Sequence, residues 1–380
     1  MRIHRSICSA CAVALPLAAA LVALVAHGTP LPTPAPGQAA PAQPEKTAAE
    51  AFQNVQVLKN IPASKFVPTM FFIGASLGVG CEHCHVTSEN GPWPFEKDDK
   101  KEKQTAREMI KMMQAINDQN FAGRQEVTCS TCHQGHAEPV ALPPILPLGA
   151  SPAPAEQPAA KDAPSADQIL DRYVDTIGGA AALDKLATRA TKGALVSESG
   201  RTYTLEIVQK APNLGLLTAT SPKGNVSRDG FDGSMAWNSA GSSVFPSQGL
   251  EGARIARDSE FFVATNVKKH FPRRFLAGTE VVGGEQAYLV RAGGHGDVSE
   301  MLFFSVKSGL LLRRIVLTQT ALGRFIEQTD FSGYREVDGV KLPFTVARME
   351  VNTRYTEKYS EIKHNVPVND SVFQMPLGPR

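Results

Sequence analysis

The chain has 380 residues, of which 42% are hydrophobic, so it is long enough for two or three domains with a sizeable core. Its formal net charge is only +2, and charged residues make up 20% of the chain. That balance argues against nucleic acid or an acidic substrate as a partner. Of six cysteines, Cys8 and Cys11 lie near the N-terminus, and the other four lie in two short motifs.

The first residues have the pattern of an export signal. Arg2 and Arg5 precede an apolar run over 11–26, and small residues follow. We therefore predict a signal peptide over 1–28 that delivers the protein to the periplasm. An uncleaved segment that keeps the protein membrane-associated is the alternative. A Pro/Ala-rich linker with six prolines is predicted over 29–46.

Two helical patterns follow the linker. The first helix is expected to begin near Ser64, with Pro68 in its first turn, and to end at Gly78. The second is expected over 104–120. It follows a charged stretch of mixed sign over 96–103, which is typical of a solvent-exposed helix start.

Each helical pattern precedes a C-x-x-C-H motif, the attachment signature of c-type haem. Two thiols at this spacing reach both vinyl groups of one porphyrin and form thioether bonds, and the next imidazole binds the iron. The sequence therefore predicts two covalently attached haem c groups and their iron. The thioether residues are expected to be Cys81, Cys84, Cys129 and Cys132, and the proximal iron ligands His85 and His133.

Other sites also use paired cysteines. A C-x-x-C pair occurs in thioredoxin-like redox motifs and in Cys₄ zinc sites, but neither requires a histidine directly after each pair. Two such motifs within fifty residues also argue against a chance match. With all four cysteines used in this way, the exported protein is expected to have no free thiol and no disulfide.

A second axial ligand decides whether a haem iron is closed or open. Methionines precede both motifs at helical spacing, Met70 before the first and Met109, Met112 and Met113 before the second. A methionine on an apolar helix face is more often core filler than a ligand, so spacing alone leaves the sixth ligands open. A closed iron is an electron carrier, whereas an open one binds peroxide or CO.

The chain is expected to be a multidomain α + β protein. A small α-helical dihaem cytochrome c domain is predicted over 47–137, and a second Pro/Ala-rich linker over 138–164. An antiparallel β-rich domain, a curved sheet plus a helix, is predicted over 165–380, because a capped amphipathic helix beginning at Ser165 precedes short strands separated by turns. The strand patterns are 203–209, 214–220, 301–306, 311–320, 344–351 and 355–362.

Part of the first domain resembles a known family. Residues 52–136 are similar to the first two-haem half of the cytochrome c subunit of photosynthetic reaction centres. The matching stretches are NVQVL (54–58), KFVPTM (65–70), AREMIKM (106–112), AIN (115–117) and VTCSTCHQG (127–135). In that family a methionine on the helix before each motif is the sixth ligand. The resemblance therefore implies Met70 and Met109 as axial ligands, with Met112 and Met113 as packing residues.

The sequence also departs from that family. The purple-bacterial subunit has four haems, whereas this chain has motifs for two. A histidine that ligates a further haem there is replaced by Phe121 here. The β-rich C-terminal region is no part of that subunit. A place beside a photosynthetic reaction centre is therefore one interpretation of the resemblance, and other redox partners stay open.

The C-terminal region resembles, more weakly, the periplasmic half-barrel domains of outer-membrane lipoprotein-sorting proteins. The resemblance is carried by 229–233 with Trp237, the 308–311 hairpin and the stretch 334–343. A curved sheet of this kind has room for an apolar ligand, for instance the tail of a lipid or quinone, which is one of two interpretations of the region. A docking or spacer domain with a filled core is the alternative. No triad or nucleophile elbow is evident here.

Taken together, these patterns predict a periplasmic dihaem c-type cytochrome that carries single electrons between membrane-associated redox donors and acceptors. We expect it to be an electron-transfer protein, not an enzyme, and to bind no nucleic acid. The first alternative is a haem peroxidase-like oxidoreductase with one open iron. The second is a carrier of a lipophilic ligand whose haems sense redox state.

Overall fold

The computed structural model describes residues 45–88, 93–140, 163–241, 243–262, 266–293, 298–350 and 353–376. The predicted signal peptide, and most of the two predicted linkers, lie outside these residues. The described residues, all of which lie from Glu45 onward, form one compact unit. The domain boundaries predicted at 47–137 and 165–380 stay predictions. The α + β class is confirmed, because helices occupy the N-terminal part and an antiparallel sheet the C-terminal part.

The helices begin and end near the capping signals of the sequence. They are α1 (Ala48–Ala51), α2 (Ala63–Leu77), α3 (Lys101–Phe121), α4 (Cys129–His133), α5 (Ala166–Thr176), α6 (Ala180–Leu183), α7 (Gly249–Ser259) and α8 (Val267–His270), with short 3₁₀ turns at Cys81–His83 and Asp370–Phe373. Gly78 ends α2 in the left-handed conformation at φ 66°. Ser165 caps α5 by accepting from the Gln168 amide at 3.2 Å.

One detail of the helix prediction is wrong. Helix α2 begins at Ala63, one residue before the expected start, so Pro68 lies in its second turn and not in its first. A proline there removes one helical N–H bond. Pro68 is buried, and Gly249 of α7 packs close to its ring. Tertiary packing therefore offsets the lost hydrogen bond.

The described strands build one thirteen-stranded sheet and one small hairpin, β12–β13. Along the large sheet the order is β6-β5-β4-β3-β2-β1-β15-β14-β11-β10-β9-β8-β7, with all neighbours antiparallel. The strands are β1 (Thr188–Ser197), β2 (Thr202–Lys210), β3 (Leu214–Thr220), β4 (Val226–Phe231), β5 (Ala236–Ala240), β6 (Ser243–Ser247), β7 (Arg273–Val282), β8 (Glu285–Gly293), β9 (Val298–Ser305), β10 (Leu311–Gln319), β11 (Arg324–Ser332), β12 (Arg335–Val337), β13 (Val340–Leu342), β14 (Thr345–Glu350) and β15 (Thr353–His364).

Helices α5 and α7 cover one face of this sheet. Ile169 and Leu170 of α5 are buried against Leu302 and Phe304 of β9. Helix α7 packs on β3, β4 and β5. Residues from both helices line one cavity together with the strands. The long helix expected over the sheet is therefore present as α5, whereas α7 was not predicted.

The helical part packs on the tip of the β10–β11 hairpin. Leu322, only 2% exposed, completes an apolar cluster with Phe72 of α2 and Ile110 and Met113 of α3. The Ala321 amide donates to Thr69 Oγ1 at 3.2 Å. The predicted cytochrome domain and β domain therefore share a hydrophobic contact, which fixes the haem motifs relative to the sheet.

We expect Leu322→Ala to loosen this contact. Removing a buried leucine side chain costs about 2 to 5 kcal/mol when the surroundings do not collapse into the space. Ile326→Ala is a matched control, because Ile326 lies four residues away and is 55% exposed. Urea unfolding should show a loss in this range for the Leu322 variant and at most about 0.5 kcal/mol for the control. Equal losses would contradict the shared core.

Candidate haem-binding site

The first C-x-x-C-H motif follows directly on the end of α2. Gly78 stops the helix, and Cys81 to His83 form a 3₁₀ turn that is closed by the Cys84 amide, which donates to the Cys81 carbonyl. Cys81 is exposed and Cys84 is half-buried, and neither is in a disulfide. Burial raises the pKa of both thiols, so they are held in the neutral form.

His85 is oriented by a backbone carbonyl. Its Nδ1 lies 3.2 Å from the Phe95 carbonyl oxygen, and the Phe95 ring meets the imidazole edge-on at 5.1 Å. A carbonyl only accepts, so Nδ1 carries the proton and Nε2 keeps a free lone pair. Burial, assisted by the nearby Lys103 cation, lowers the pKa of His85. The ring is therefore neutral at pH 7, the form that binds a metal.

The second motif repeats this arrangement in helix α4. Cys129 is the first residue of this helix and Cys132 lies about one turn later, just before its last residue, His133, again without a disulfide. His133 Nδ1 lies 3.0 Å from the His136 carbonyl oxygen, so this imidazole also keeps Nε2 free. His136, which follows the motif closely, thus takes part through its backbone.

The two motifs lie close to each other through α2 and the loop after α4. The Gly135 amide donates to the Ser76 carbonyl at 2.9 Å. A Cβ at Gly78 would lie 2.0 Å from the Gly135 oxygen, so the two backbones approach as closely as glycine permits. Ser76 lies five residues before Cys81, and Gly135 two residues after His133. The segments that flank the two attachment sequences are thus joined by a direct backbone contact.

These residues fit haem c in their chemistry. Both pairs of thiols are unbonded. Both histidines donate through Nδ1 to a carbonyl, the contact that fixes the tautomer and orientation of a metal-binding imidazole. Within the described residues, no group of three or more His, Cys, Asp or Glu side chains is arranged to hold a metal ion directly.

The methionines differ in burial. Met70 is half-buried and packs against the apolar cluster of α2 and α3. Met113 is 7% exposed inside that cluster. Met109 and Met112 are 37% and 49% exposed. Met113 is therefore a packing residue, Met112 packs little, and the roles of Met70 and Met109 as iron ligands stay predictions.

An ionic cluster holds the loop beside the first motif. Arg107, 6% exposed, donates to both oxygens of Asp98 at 2.9 and 2.8 Å. The hydrogen bonds from Arg107 and then Lys103 hold the pKa of Asp98 far below its usual range. Lys103 Nζ lies 2.9 Å from Asp98 and donates to the Phe95 carbonyl at 2.9 Å. That carbonyl therefore accepts from Lys103 and from His85.

Sequence reasoning missed this cluster. The stretch 96–103 was expected to be a solvated helix start, but Lys103 is 11% exposed and Asp98 reaches the buried Arg107. Trp93 lies 5.8 Å from the Phe95 ring, on the same loop. The available signal was that Lys103 and Arg107 are four residues apart, so that they lie on the same face of a helix. The partner loop was not predictable from that spacing.

The sheet and its helices enclose a second candidate site. A cavity of about 210 Å³ lies between α5, α7 and the strands β1–β4, β10, β11, β14 and β15. Its wall combines apolar residues such as Ile207, Leu217 and Phe331 with charged ones. The charged residues are Arg189, Arg254, Arg314, Arg348, Asp229, Asp258 and Glu260. The interior is thus more polar than a purely apolar ligand would require.

Comparison with known proteins separates the two parts of the chain. Residues 22–146 match the family model described as "Photosynthetic reaction centre cytochrome C subunit". The N-terminal region resembles that subunit. The protein of Thermochromatium tepidum is 38% identical over 96 residues, 24% of this chain and 22% of that one. The Rubrivivax gelatinosus protein is 34% identical over 94 residues, 24% of each chain. The chain thus spans less than a quarter of these relatives' length.

Solved structures are similar to the C-terminal half. A domain of a putative outer membrane lipoprotein-sorting protein from Vibrio parahaemolyticus has 10% identity and a TM-score of 0.40, over 54% of this chain and 94% of that one. A LolA superfamily protein from Nitrosomonas europaea has 13% identity and a TM-score of 0.38, over 56% and 98%. Separately, no helix in the described ranges is long and apolar enough to cross a bilayer.

Proposed function

We propose that this protein is a periplasmic dihaem c-type cytochrome that carries single electrons between membrane-associated redox partners. Cys81 and Cys84 would hold one haem, and Cys129 and Cys132 the other. A covalently held haem supplies one-electron chemistry at its iron. The chain's own part is to attach, orient and shield the two groups and to set their potentials.

One observation carries the proposal. Each of His85 and His133 stands directly after a pair of unbonded thiols and donates from Nδ1 to a carbonyl oxygen. That contact leaves Nε2 free and fixed in direction, as an axial ligand requires. The match of residues 22–146 to a cytochrome c family supports the same assignment.

The contact between the segments beside the two motifs supports electron exchange within the chain. The Gly135–Ser76 hydrogen bond joins the end of the second motif to the helix that precedes the first. With Met70 and Met109 as sixth ligands, both irons would be closed to small molecules. Such a pair transfers electrons and does not turn over a substrate. The partners we propose are redox proteins, one a donor and one an acceptor, at a membrane.

A redox titration followed by absorption, with and without CO, tests this function on the exported full-length chain. We expect two haems per chain, both low-spin in both oxidation states and unaffected by CO. A high-spin component, or a CO-shifted band equal to one haem, would instead support the peroxidase-like alternative. A protein without covalent haem would overturn the proposal.

Lys103→Met is expected to lower the potential of the first haem only. The Lys103 ammonium and His85 Nδ1 donate to the same Phe95 carbonyl, so Lys103 weakens the hydrogen bond from His85 to that carbonyl. Its positive charge also disfavours the ferric iron. Removing Lys103 therefore favours the ferric state. The shift should be on the order of 50 mV. A unit charge about 10 Å from a redox centre contributes roughly 1 to 2 kcal/mol at an effective dielectric of about 20 to 30, and about 2.3 kcal/mol corresponds to 100 mV.

Lys101→Met provides the matched control. Lys101 lies on the same helix and is exposed, so solvent screens its charge. Two resolved one-electron waves in the titration should show the Lys103 shift in one wave and no shift in the control. A uniform shift of both waves, or none, would contradict a specific role of Lys103.

The cavity favours a second role, the binding of a lipophilic ligand by the β-rich region. Its wall contains apolar side chains from several strands and from α7. A pocket of this kind is the usual starting point for a ligand hypothesis. Extraction of the purified protein and mass spectrometry should detect a bound lipid or quinone. A protein that is consistently empty would support the docking or spacer alternative.

A further inference from the structure

Arg189 of β1 differs from the other arginines that line the cavity. Arg314 pairs with Glu300 at 2.9 Å, and Arg348 pairs with Glu357 at 2.9 Å. Arg254 pairs with Asp229 at 2.7 Å. Within the described residues, Arg189 has no ion pair with a carboxylate.

The hydrogen bonds of Arg189 are few and long. Its Nη1 donates to Gln209 Oε1 at 3.3 Å, and its Nε donates to His364 Nε2 at 3.3 Å. His364 Nδ1 in turn lies 3.0 Å from Asp338, so His364 accepts from Arg189 as a neutral ring. The Nη2 atom of Arg189 is buried and has no hydrogen-bond partner among the residues that the structure describes. A guanidinium has five N–H donors, and most of these remain unused.

Aromatic rings compensate only part of this buried charge. The guanidinium carbon lies 4.6 Å from the Phe261 ring centre and 5.1 Å from that of Phe262. Such contacts stabilise a cation by about 0.5 to 2 kcal/mol. Burial lowers the pKa of Arg189 to about 10, so the side chain is still charged at pH 7. An uncompensated buried charge is costly, and a bound anion would remove that cost.

We propose that Arg189 is the receptor for the head group of a monocarboxylate amphiphile bound in this cavity. The planar fork of arginine matches a carboxylate in shape and bonds it through two parallel N–H groups. One cation without a carboxylate partner matches one negative charge. The apolar residues of the wall, such as Leu217 and Phe331, then contact the hydrocarbon part.

The size of the cavity limits the ligand. Its volume of about 210 Å³ is below the roughly 300 to 1,000 Å³ that is usual for sites of drug-sized ligands. The cavity therefore suits a single chain of medium length, and not a lipid with several acyl chains. This inference rests on the ligand-binding role proposed above and is independent of the electron-transfer role.

Calorimetric titration of the full-length, haem-loaded protein tests the inference with three probes of equal chain length. Octanoate has a carboxylate head, octanol a neutral head and octylammonium a cationic head. We expect octanoate to bind at least tenfold more tightly than octanol, because hydrogen bonds to charged groups contribute about 1.5 to 3 kcal/mol. Octylammonium should bind most weakly.

Three variants locate the effect. Arg189→Met keeps an apolar stem and should reduce octanoate affinity at least tenfold while leaving octanol affinity nearly unchanged. Arg189→Lys keeps the charge but not the planar fork, so its affinity for octanoate should lie between that of Arg189→Met and that of the unmodified protein. Arg201→Met is the control, because Arg201 is exposed in the turn between β1 and β2 and does not line the cavity. It should bind octanoate like the unmodified protein.

Far-UV circular dichroism of each sample reports the folding of the sheet separately. Equal affinity for octanoate and octanol would overturn the proposal, as would an Arg189→Met variant that retains octanoate affinity. If Arg189→Met does not fold, an Arg189→Lys variant with undiminished affinity would also overturn the role of the fork. No binding of any probe would remove the ligand-binding role as a whole. None of these outcomes affects the electron-transfer proposal.

Discussion

Met70→Ala is expected to open one of the two haem irons and Met109→Ala the other. A methionine thioether closes the sixth position and holds the potential high. Its loss should lower the potential of the affected haem by on the order of 0.2 V, a fraction of the ~0.8 V that axial ligands span. It should also allow CO to bind that haem. Absorption spectra under CO should then change by an amount equal to one haem per chain in each variant.

Met112→Ala is the matched control for this experiment. Met112 lies three residues after Met109 on α3 and is 49% exposed, so its removal should change neither the CO spectrum nor the potentials. Met113 is buried in the apolar cluster. Its removal would lower the stability of the fold, so an effect on iron ligation could not be distinguished from partial unfolding. If Met112→Ala opens an iron and Met109→Ala does not, the assignment of the second sixth ligand is wrong. If Met70→Ala leaves both irons closed, the first assignment is wrong.

The sequence predicted those features that depend on residues close together in the chain. The Ser165 capping box, the end of α2 at Gly78 and the strand 214–220 all agree with the structure. Each of these signals is local, because a cap, a left-handed glycine or an alternating strand is formed by a few successive residues. The haem motifs are local in the same sense. Their spacing alone predicts the attachment chemistry, which stays a prediction.

The contacts that orient the site are not local, and the sequence did not reveal them. Phe95 and His136 act through backbone carbonyls, which any residue possesses, so their identity carries no signal. Leu322 reaches the apolar cluster of the cytochrome helices from more than two hundred residues away. Such pairings are set by the tertiary fold and not by propensity.

Arg189 illustrates the same limit for charged residues. In the sequence it is one of 39 Lys and Arg residues, and nothing there separates it from the rest. Its difference appears only when the sheet forms. In the described part of the chain, Arg314 and Arg348 pair with carboxylates, whereas Arg189 does not. Charge pairing in this half of the protein is therefore a tertiary property. The effect of burial on such pairing can be measured directly at two adjacent residues, Arg313 and Arg314.

Arg313 and Arg314 lie next to each other on β10 and point to opposite faces of the sheet. Arg313 pairs with Asp330 at 2.6 and 2.7 Å, and both side chains are about 30% exposed, at 27% and 32%. Arg314 pairs with Glu300, also through two bonds, and these side chains are 10% and 1% exposed. Strand β10 thus carries two arginine–carboxylate pairs, one half-exposed and one buried.

Glu300→Ala is expected to lower the free energy of unfolding by about 3 to 5 kcal/mol, because it leaves the Arg314 charge buried without its carboxylate. Asp330→Ala should cost at most about 1 kcal/mol, since solvent screens the charge that remains on Arg313. Urea unfolding of both variants, followed by far-UV circular dichroism, measures the difference. The loss of unfolding free energy for Glu300→Gln should lie between these two values, because glutamine keeps the shape of the side chain and loses its charge. Equal losses of unfolding free energy for Glu300→Ala and Asp330→Ala would show that burial does not control the strength of these pairs. A buried guanidinium such as Arg189 would then have no physical need for a bound anion.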